Sequence, residues 1–404
     1  MNHRRLPSAR IWRICILLFL ATAIVYLDRQ VLALTAPKII ETFHLSKEQF
    51  GQIIGAFRYS YGFVQIVGGF LVDAYGPRIV FPMASGLWST VGVLTGLATT
   101  VGMLTGLRFL LGAGEAFIWP CSLKVTNTMI EPKDRPLANG IFNSGAALGA
   151  LVAPVIITVI AVHWSWRAAF VVTGSMSALW LLGWLWVTRP EAQALKGVPF
   201  PARNVVKVVV TLITMPDFWI LAVASLVANG VNYYLADWIP LYLVTARGFS
   251  FTHGNALSIT VYAGSFTGNL IVGLFVRVLV KRGWSTNTAK QWALFAACLL
   301  MCMAAPAGLT PNRYLAVLCL SLTAVGVGSF LVIYLTLVQD LVPEYVGVSS
   351  GLLGGLSNIA YGLVSRQIGA LADLHHENLI FLLIAVLPWF AFFPIFVRSR
   401  FAHD

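Results

Sequence analysis

The sequence predicts an all-α membrane protein with twelve transmembrane helices arranged as two six-helix halves. Hydrophobic residues make up 58% of its 404 residues and charged residues 10%, whereas soluble proteins carry about 25% charged residues. Apolar runs of about 20 residues, the length of a helix that crosses a hydrocarbon core about 30 Å thick, recur along the chain. One longer polar stretch, at 188–216, separates six such runs from six others.

The predicted spans follow the apolar runs. In chain order they cover 11–34, 51–72, 79–100, 102–124, 137–161, 167–187, 217–246, 255–280, 288–309, 312–338, 346–372 and 378–397. We therefore predict an N-terminal half at 1–187, a cytoplasmic linker at 188–216 and a C-terminal half at 217–404. The first run follows a basic tail, as a signal peptide does, but it lacks a small-residue cleavage site. We expect it to be retained as the first helix.

The net charge of +12 is distributed over tails, short loops and the linker. This is the positive-inside pattern, which predicts that both termini are cytoplasmic in a bacterial inner membrane. Because the basic residues do not gather on a soluble domain, we expect no nucleic-acid partner. All five cysteines lie in apolar segments without metal-ligand or disulfide spacing, so we predict no metal and no cofactor.

Charged side chains interrupt several of the apolar spans. Asp28 and Arg29 lie in the first span, Arg58 in the second, and Arg108 and Glu115 in the fourth. A charge at the bilayer centre costs about 2.5–3.5 kcal/mol on insertion scales, so such residues usually line a substrate or proton pathway. The alternatives are a structural ion pair between the first and fourth spans, and an arginine at position 29 that reaches the interface.

A motif of Gly69, Asp73, Gly76 and Arg78 extends from the cytoplasmic end of the second span into the polar loop that follows it. Gly76 permits a turn that other residues resist. Asp73 can cap a neighbouring element or pair with a loop arginine. We interpret the loop as a gating latch, with a generic tight polar loop as the alternative.

Four stretches of sequence resemble one transporter family. They are Tyr26-Leu27-Asp28-Arg29, the run from Arg108 to Ala116 with Pro120 after it, the run from Ala138 to Gly145, and Asn232-Tyr233-Tyr234 followed by Trp238 to Leu243. These stretches resemble the anion:cation symporter family, a branch of the major facilitator superfamily. That family includes bacterial hexuronate and galactonate transporters and animal sialin. The resemblance extends over essentially all twelve spans and implies the two-half fold of that superfamily.

The resemblance also implies roles for individual residues. Asp28 and Glu115 match protonation sites, Arg108 matches the arginine that relays their state, and Arg29 matches the arginine that holds a substrate carboxylate. The remaining predicted substrate ligands are polar or aromatic side chains of both halves: Tyr26, Arg58, Tyr61, Asn232, Tyr233, Tyr334, Ser357, Asn358 and Arg366.

Two of those ligands depart from the family pattern. Arg366 stands where a proline is common, so it is either a further carboxylate ligand or a helix-end arginine that reaches water. Tyr334 could replace an aromatic residue expected one turn later. Both departures lie in the C-terminal half, which leaves the identity of the solute open.

Together these features predict proton-coupled uptake of an organic anion, most specifically a sugar acid such as a hexuronate or aldonate. The alternative in the same fold is an exchanger or exporter of a dicarboxylate or a phosphorylated compound. A multidrug exporter fits the buried acids and arginines less well. No nucleophile motif or phosphate-binding loop is present, so we do not expect an enzyme. The predicted partners are a small organic anion, protons and the lipid bilayer, and the expected state is a monomer.

Overall fold

The structure, a computed structural model, describes residues 8–130, 135–191, 193–196, 202–341 and 346–397, and this part of the chain is helical throughout apart from short connections. The helices are α1 (Ser8–Leu34), α2 (Ala36–Phe43), α3 (Lys47–Tyr75), α4 (Pro77–Gly96), α5 (Val101–Glu115), α6 (Ile118–Met129), α7 (Arg135–His163), α8 (Trp166–Thr188), α9 (Ala202–Thr214), α10 (Pro216–Thr245), α11 (Phe251–Lys281), α12 (Thr286–Met301), α13 (Ala304–Leu309), α14 (Arg313–Leu341), α15 (Val346–Asp373) and α16 (Glu377–Val397).

Ten candidate membrane spans occur within the described residues. They correspond to ten of the twelve predicted spans, with α5 and α6 forming one span and α12 and α13 another. The predicted spans 51–72 and 346–372 lie in α3 and α15, which are more polar and do not qualify as spans on apolar character. Each is nevertheless long enough to cross, since 29 residues of helix extend about 43 Å.

Short polar residues begin several of these helices. Thr100, Ser165, Ser250 and Ser285 each accept a hydrogen bond from the main-chain N–H three residues later. These caps satisfy amide groups that the helix itself leaves without a partner. The turn between α3 and α4 is made by Gly76, whose φ of 78° lies in the region that favours glycine.

The helices pack into two compact units. The first comprises residues 1–38 and 56–202, and the second comprises residues 39–55 and 203–404. The helix α3 is therefore divided between the two units: its first nine residues belong to the second unit and the rest to the first. The predicted domain boundaries at 187 and 217 stay a prediction.

In the first unit, α1 packs against α7 and α8, and α4 packs against α5 and α8. An aromatic cluster fills the space between α4 and α8, where Phe81 lies 4.9 Å from Trp184 and 5.2 Å from Trp180 between ring centroids. Further along the same pair of helices, Gly92 and Gly174 face each other so closely that an added methyl group on Gly92 would lie 3.1 Å from the Cα of Gly174. Small residues thus bring α4 and α8 together beside the buried charges described below.

In the second unit, α14 packs against α10, α11 and α12, while α10 also contacts α15 and α16. The first turn of α3 belongs to this unit and is held by the end of α15. The carboxylate of Asp373 accepts hydrogen bonds from the main-chain N–H groups of Lys47 at 2.9 Å and Glu48 at 3.0 Å. A carboxylate at a helix N-terminus satisfies otherwise unpaired amides and complements the helix dipole.

Candidate functional site

The first unit contains a buried ion pair between α1 and α5. The Nε atom of Arg29 lies 2.6 Å from Oε2 of Glu115, although the two residues are 86 positions apart in the chain. The Glu115 side chain is fully buried, and the Arg29 side chain is 17% exposed. The sequence placed both charges in apolar spans, and the fold brings them into direct contact.

Three aromatic rings surround the Arg29 guanidinium. Its carbon atom lies 4.7 Å from the ring centroid of Tyr61, 5.0 Å from that of Tyr26 and 5.7 Å from that of Phe57. Each ring face attracts the cation by about 0.5–2 kcal/mol, depending on how much water is excluded. Tyr26 and Tyr61 were predicted here, but Phe57 was missed. Its position four residues before Tyr61 on α3 places it on the same helix face.

Asp28 is bound separately from Arg29. Its Oδ1 accepts a hydrogen bond of 2.6 Å from the hydroxyl of Thr173 on α8, and both residues are fully buried. Within the described part of the chain, Oδ2 of Asp28 has no hydrogen-bond partner. Thr173 was also missed, because a single threonine in an apolar helix is an ordinary packing residue in sequence terms.

Two further arginines are buried in the first unit. Arg108 on α5 is 2% exposed, and its guanidinium lies 4.7 Å from the ring centroid of Phe170. Arg58 on α3 is 7% exposed and lies 5.7 Å from the ring centroid of Phe57. The predicted relay role of Arg108 and ligand role of Arg58 stay predictions.

The loop motif is placed at the end of α3. Asp73 pairs with Lys124 of α6, whose Nζ lies 2.6 Å from Oδ1, and both side chains are partly exposed. This partner is a lysine of the same unit rather than a loop arginine. Gly69 lies one turn before Asp73 and is half-buried. Arg78 is exposed, and its main-chain N–H donates to the carbonyl of Leu195 at 3.1 Å. The gating role stays a prediction.

In the second unit, predicted ligands meet in a polar cluster between α10, α14 and α15. Tyr334 donates to Ser225 at 2.9 Å, and the hydroxyls of Ser225 and Ser357 are 2.6 Å apart. The amide of Asn358 donates to the hydroxyl of Tyr233 at 3.0 Å. Ser225, which joins these groups, was missed by the sequence analysis.

The last two predicted ligands differ in their surroundings. Asn232 is half-buried on α10, one residue before Tyr233. Arg366 is 60% exposed, and its Nε lies 2.6 Å from Oε1 of Glu48. The ligand role of Arg366 stays a prediction.

Among the described residues, no three His, Cys, Asp or Glu side chains are grouped so that they could hold a metal ion. The groups described above are carboxylates, guanidinium groups, hydroxyls and amides. Such groups can bind an anion, exchange protons and form hydrogen bonds with a hydroxylated solute.

Comparison with known proteins agrees with this chemistry. The model of the Major Facilitator Superfamily matches residues 18–365, and the chain belongs to that superfamily. It is a multi-pass membrane transporter rather than an enzyme. The resemblance to this superfamily that was inferred from the sequence motifs is confirmed.

Two curated relatives are similar to this chain over most of its length. The chain is 27% identical to the hexuronate transporter of Escherichia coli K12 over 404 residues, covering 95% of this chain and 92% of that protein. It is also 27% identical to a probable sulfoacetate transporter of Cupriavidus necator, covering 88% of this chain and 86% of that protein. Among solved structures, a bacterial homologue of the human lysosomal transporter Spinster shares the fold, with a TM-score of 0.75, 21% identity and coverage of 98% and 99% of the two chains.

Proposed function

We propose that this protein takes up a sugar acid together with protons by alternating access, in a bacterial inner membrane with both termini in the cytoplasm. The observation that carries the proposal is the buried Arg29–Glu115 pair inside an aromatic surround. Burying two charges costs several kcal/mol each, and well-packed apolar residues are often at least as stable. A contribution to folding stability therefore does not explain why Arg29 and Glu115 lie in apolar spans. A role in which Arg29 exchanges Glu115 for a solute anion explains it better.

The geometry supports binding of a solute carboxylate by Arg29. Glu115 occupies the Nε side of the guanidinium, while Nη2 has no hydrogen-bond partner within the described residues. The planar fork of an arginine matches the two oxygens of a carboxylate. A solute carboxylate and Glu115 would then compete for the same cation.

Competition between Glu115 and the solute carboxylate for Arg29 would couple binding of the solute to binding of a proton. Protonation of Glu115 removes its negative charge and releases Arg29, so an anion can bind there without adding net charge to the buried site. Asp28, with one oxygen bound to Thr173 and the other without a partner in the described region, offers a second place for a proton. The anion and the protons would be carried together because each makes the other's binding more favourable.

The polar cluster of the second unit supports a hydroxylated solute. Serine, tyrosine and asparagine side chains there provide hydroxyl and amide groups but no further charge. The hexuronate transporter among the relatives acts on solutes of this kind, which have one carboxylate and several hydroxyls. The probable sulfoacetate transporter makes transport of a small dianion the second candidate.

Transport by the purified protein in proteoliposomes tests the proposal. We expect labelled glucuronate to accumulate when the outside is acidic and to stop accumulating when an ionophore collapses the proton gradient. Glu115→Gln should abolish accumulation but retain exchange of internal for external glucuronate, because only the proton step is lost. Glu41→Gln, which changes an exposed acid on α2, is the matched control. Uphill uptake by Glu115→Gln at the rate of the unmodified protein would refute the coupling role.

A further inference from the structure

The second unit contains a group of neutral side chains centred on Ser225 of α10, which we call the Ser225 hub: Ser225, Asn229, Tyr334 and Ser357. The Oγ atom of Ser225 lies 2.9 Å from the Tyr334 hydroxyl, 3.1 Å from Asn229 Nδ2 and 2.6 Å from Ser357 Oγ. Ser225, Tyr334 and Ser357 are almost completely buried, and Asn229 is half-buried. A serine that contacts so many polar groups in an apolar helix does more than fill space.

The donors of the hub follow from elementary chemistry. A main-chain carbonyl can only accept a hydrogen bond. The Asn229 side-chain atom 3.1 Å from the carbonyl of Ser225 must therefore be its nitrogen, and the same nitrogen donates to Ser225 Oγ. This contact fixes the orientation of the amide.

Ser225 uses its full hydrogen-bonding capacity in this arrangement. Its oxygen accepts from Tyr334 and from Asn229, which occupies both lone pairs. Its own proton then goes to Ser357, whose oxygen is 2.6 Å away, and Ser357 donates in turn to the carbonyl of Leu353 at 2.8 Å. Ser225 thereby takes the phenol proton of Tyr334 and the amide hydrogens of Asn229.

The consequence is a change in what those two residues can offer. With its proton bound to Ser225, the Tyr334 oxygen presents only lone pairs, and Asn229 presents only its Oδ1. Both are acceptors, so both favour a solute O–H. A carboxylate or sulfonate has no donor at neutral pH and would place negative charge against these lone pairs.

We propose that Ser225 is a positioning residue that makes the hub select solute hydroxyls and reject a second anionic group. This rests on the proposed function and narrows it: the solute carries one anionic group and several hydroxyls, rather than two anionic groups. Loss of one buried hydrogen-bond partner corresponds to roughly a ten- to hundredfold change in affinity. We expect discrimination of that size between a hexuronate and the corresponding dicarboxylate.

Competition with labelled glucuronate uptake in proteoliposomes measures this discrimination. Glucuronate, glucarate and sulfoacetate are the competitors, since they combine one carboxylate with hydroxyls, two carboxylates with hydroxyls, and two anionic groups without hydroxyls. In the unmodified protein, glucarate and sulfoacetate should compete at least about tenfold more weakly than glucuronate. Glucarate competing as well as glucuronate would overturn the inference while leaving sugar-acid transport intact.

Ser225→Ala tests the positioning role itself. It releases the donors of Tyr334 and Asn229, so the glucuronate-to-glucarate ratio should shrink severalfold. The matched control is Ser258→Ala, because Ser258 is also fully buried in the second unit and, among the described residues, its hydroxyl bonds within its own helix, to the carbonyl of Gly254 at 3.1 Å. A ratio in Ser225→Ala equal to that of the control would refute the positioning role.

Tyr334→Phe provides a second, independent variant that retains the ring. It removes one acceptor, so competition by glucuronate should weaken about tenfold while competition by glucarate stays nearly unchanged. Equal weakening of both competitors would indicate a merely structural role and contradict the inference. Failure of every sugar acid to compete in the unmodified protein would overturn the proposed function and this inference with it.

Discussion

Replacing Glu115 by glutamine gives a quantitative test of anion binding at Arg29. The substitution keeps the size of the side chain and removes its charge, so Arg29 remains buried without an ionic partner. Removing one member of a buried pair costs about 3–5 kcal/mol. Because Arg29 keeps contact with three aromatic rings and an amide oxygen can still accept from its Nε, we expect the lower end of that range.

The informative quantity is how glucuronate binding depends on pH. If one proton must bind Glu115 before the anion can displace it, the apparent affinity of the unmodified protein should rise by up to about tenfold for each unit of pH decrease. A tenfold change is about 1.4 kcal/mol. In Glu115→Gln, Arg29 is always available, so binding should be tighter at mildly alkaline pH and should depend less steeply on pH, with Asp28 as the remaining protonation site.

The assay is the thermal stability of the purified protein with and without glucuronate, at mildly acidic and mildly alkaline pH. A solute that binds only the folded protein raises its stability, by about 2.7 kcal/mol at a hundredfold excess over Kd. Asp28→Asn is the comparison variant, because Asp28 bonds Thr173 rather than Arg29 and should leave the Glu115-dependent pH effect in place. If Glu115→Gln keeps the pH dependence of the unmodified protein, Glu115 does not compete with the anion.

Three further predictions concern packing, Arg366 and the loop motif. Gly174→Ala should lower the stability by about 1–3 kcal/mol in thermal unfolding, because the added methyl group would lie 2.6 Å from the main-chain nitrogen of Val93. Gly183→Ala is the matched control and should not lower the melting temperature, because its methyl group would lie 3.9 Å from Leu17, the nearest neighbour among the described residues, and alanine favours a helix more than glycine does. Arg366→Gln should not change the KM for glucuronate in uptake assays, because this side chain is 60% exposed and paired with Glu48; a severalfold rise in KM would identify it as a ligand after all. Asp73→Asn should reduce the maximal transport rate while changing stability by less than about 1 kcal/mol, since its pair with Lys124 is partly exposed; unreduced transport would contradict a gating role.

Much of the fold could be predicted from the apolar runs. A helix surrounded by lipid must be apolar over its whole length, so ten spans were located within a few residues of their ends in most cases. The helices α3 and α15 were harder, because they include polar and charged residues, of which Arg58 is buried and Arg366 is exposed beside Glu48. For such helices, hydropathy alone does not measure the ability to span.

Charged residues of the candidate site could be predicted from the sequence, but the contacts between them could not. Asp28, Arg29 and Glu115 were recognisable because charges are rare in apolar spans. That Arg29 binds Glu115 while Asp28 binds Thr173 depends on how α1, α5 and α8 pack, and no local sequence pattern encodes it.

The residues that were missed share one physical property. Phe57, Thr173 and Ser225 are ordinary side chains of membrane helices, and each gains its significance from a neighbour on another helix or another turn. Arg366 shows the converse, because its charge was conspicuous in the sequence yet its side chain lies exposed beside Glu48.

The amino-acid sequence by itself determined that this chain lies in a membrane, where its helices run and which of them carry charge, since the cost of placing each residue type in lipid depends mainly on the residue. Only the tertiary structure decided which charged side chain pairs with which partner and which hydroxyl groups form hydrogen bonds with one another. Those contacts join residues that are far apart in the chain, such as Glu48 and Arg366, which are 318 positions apart, and they exist only after the helices have packed.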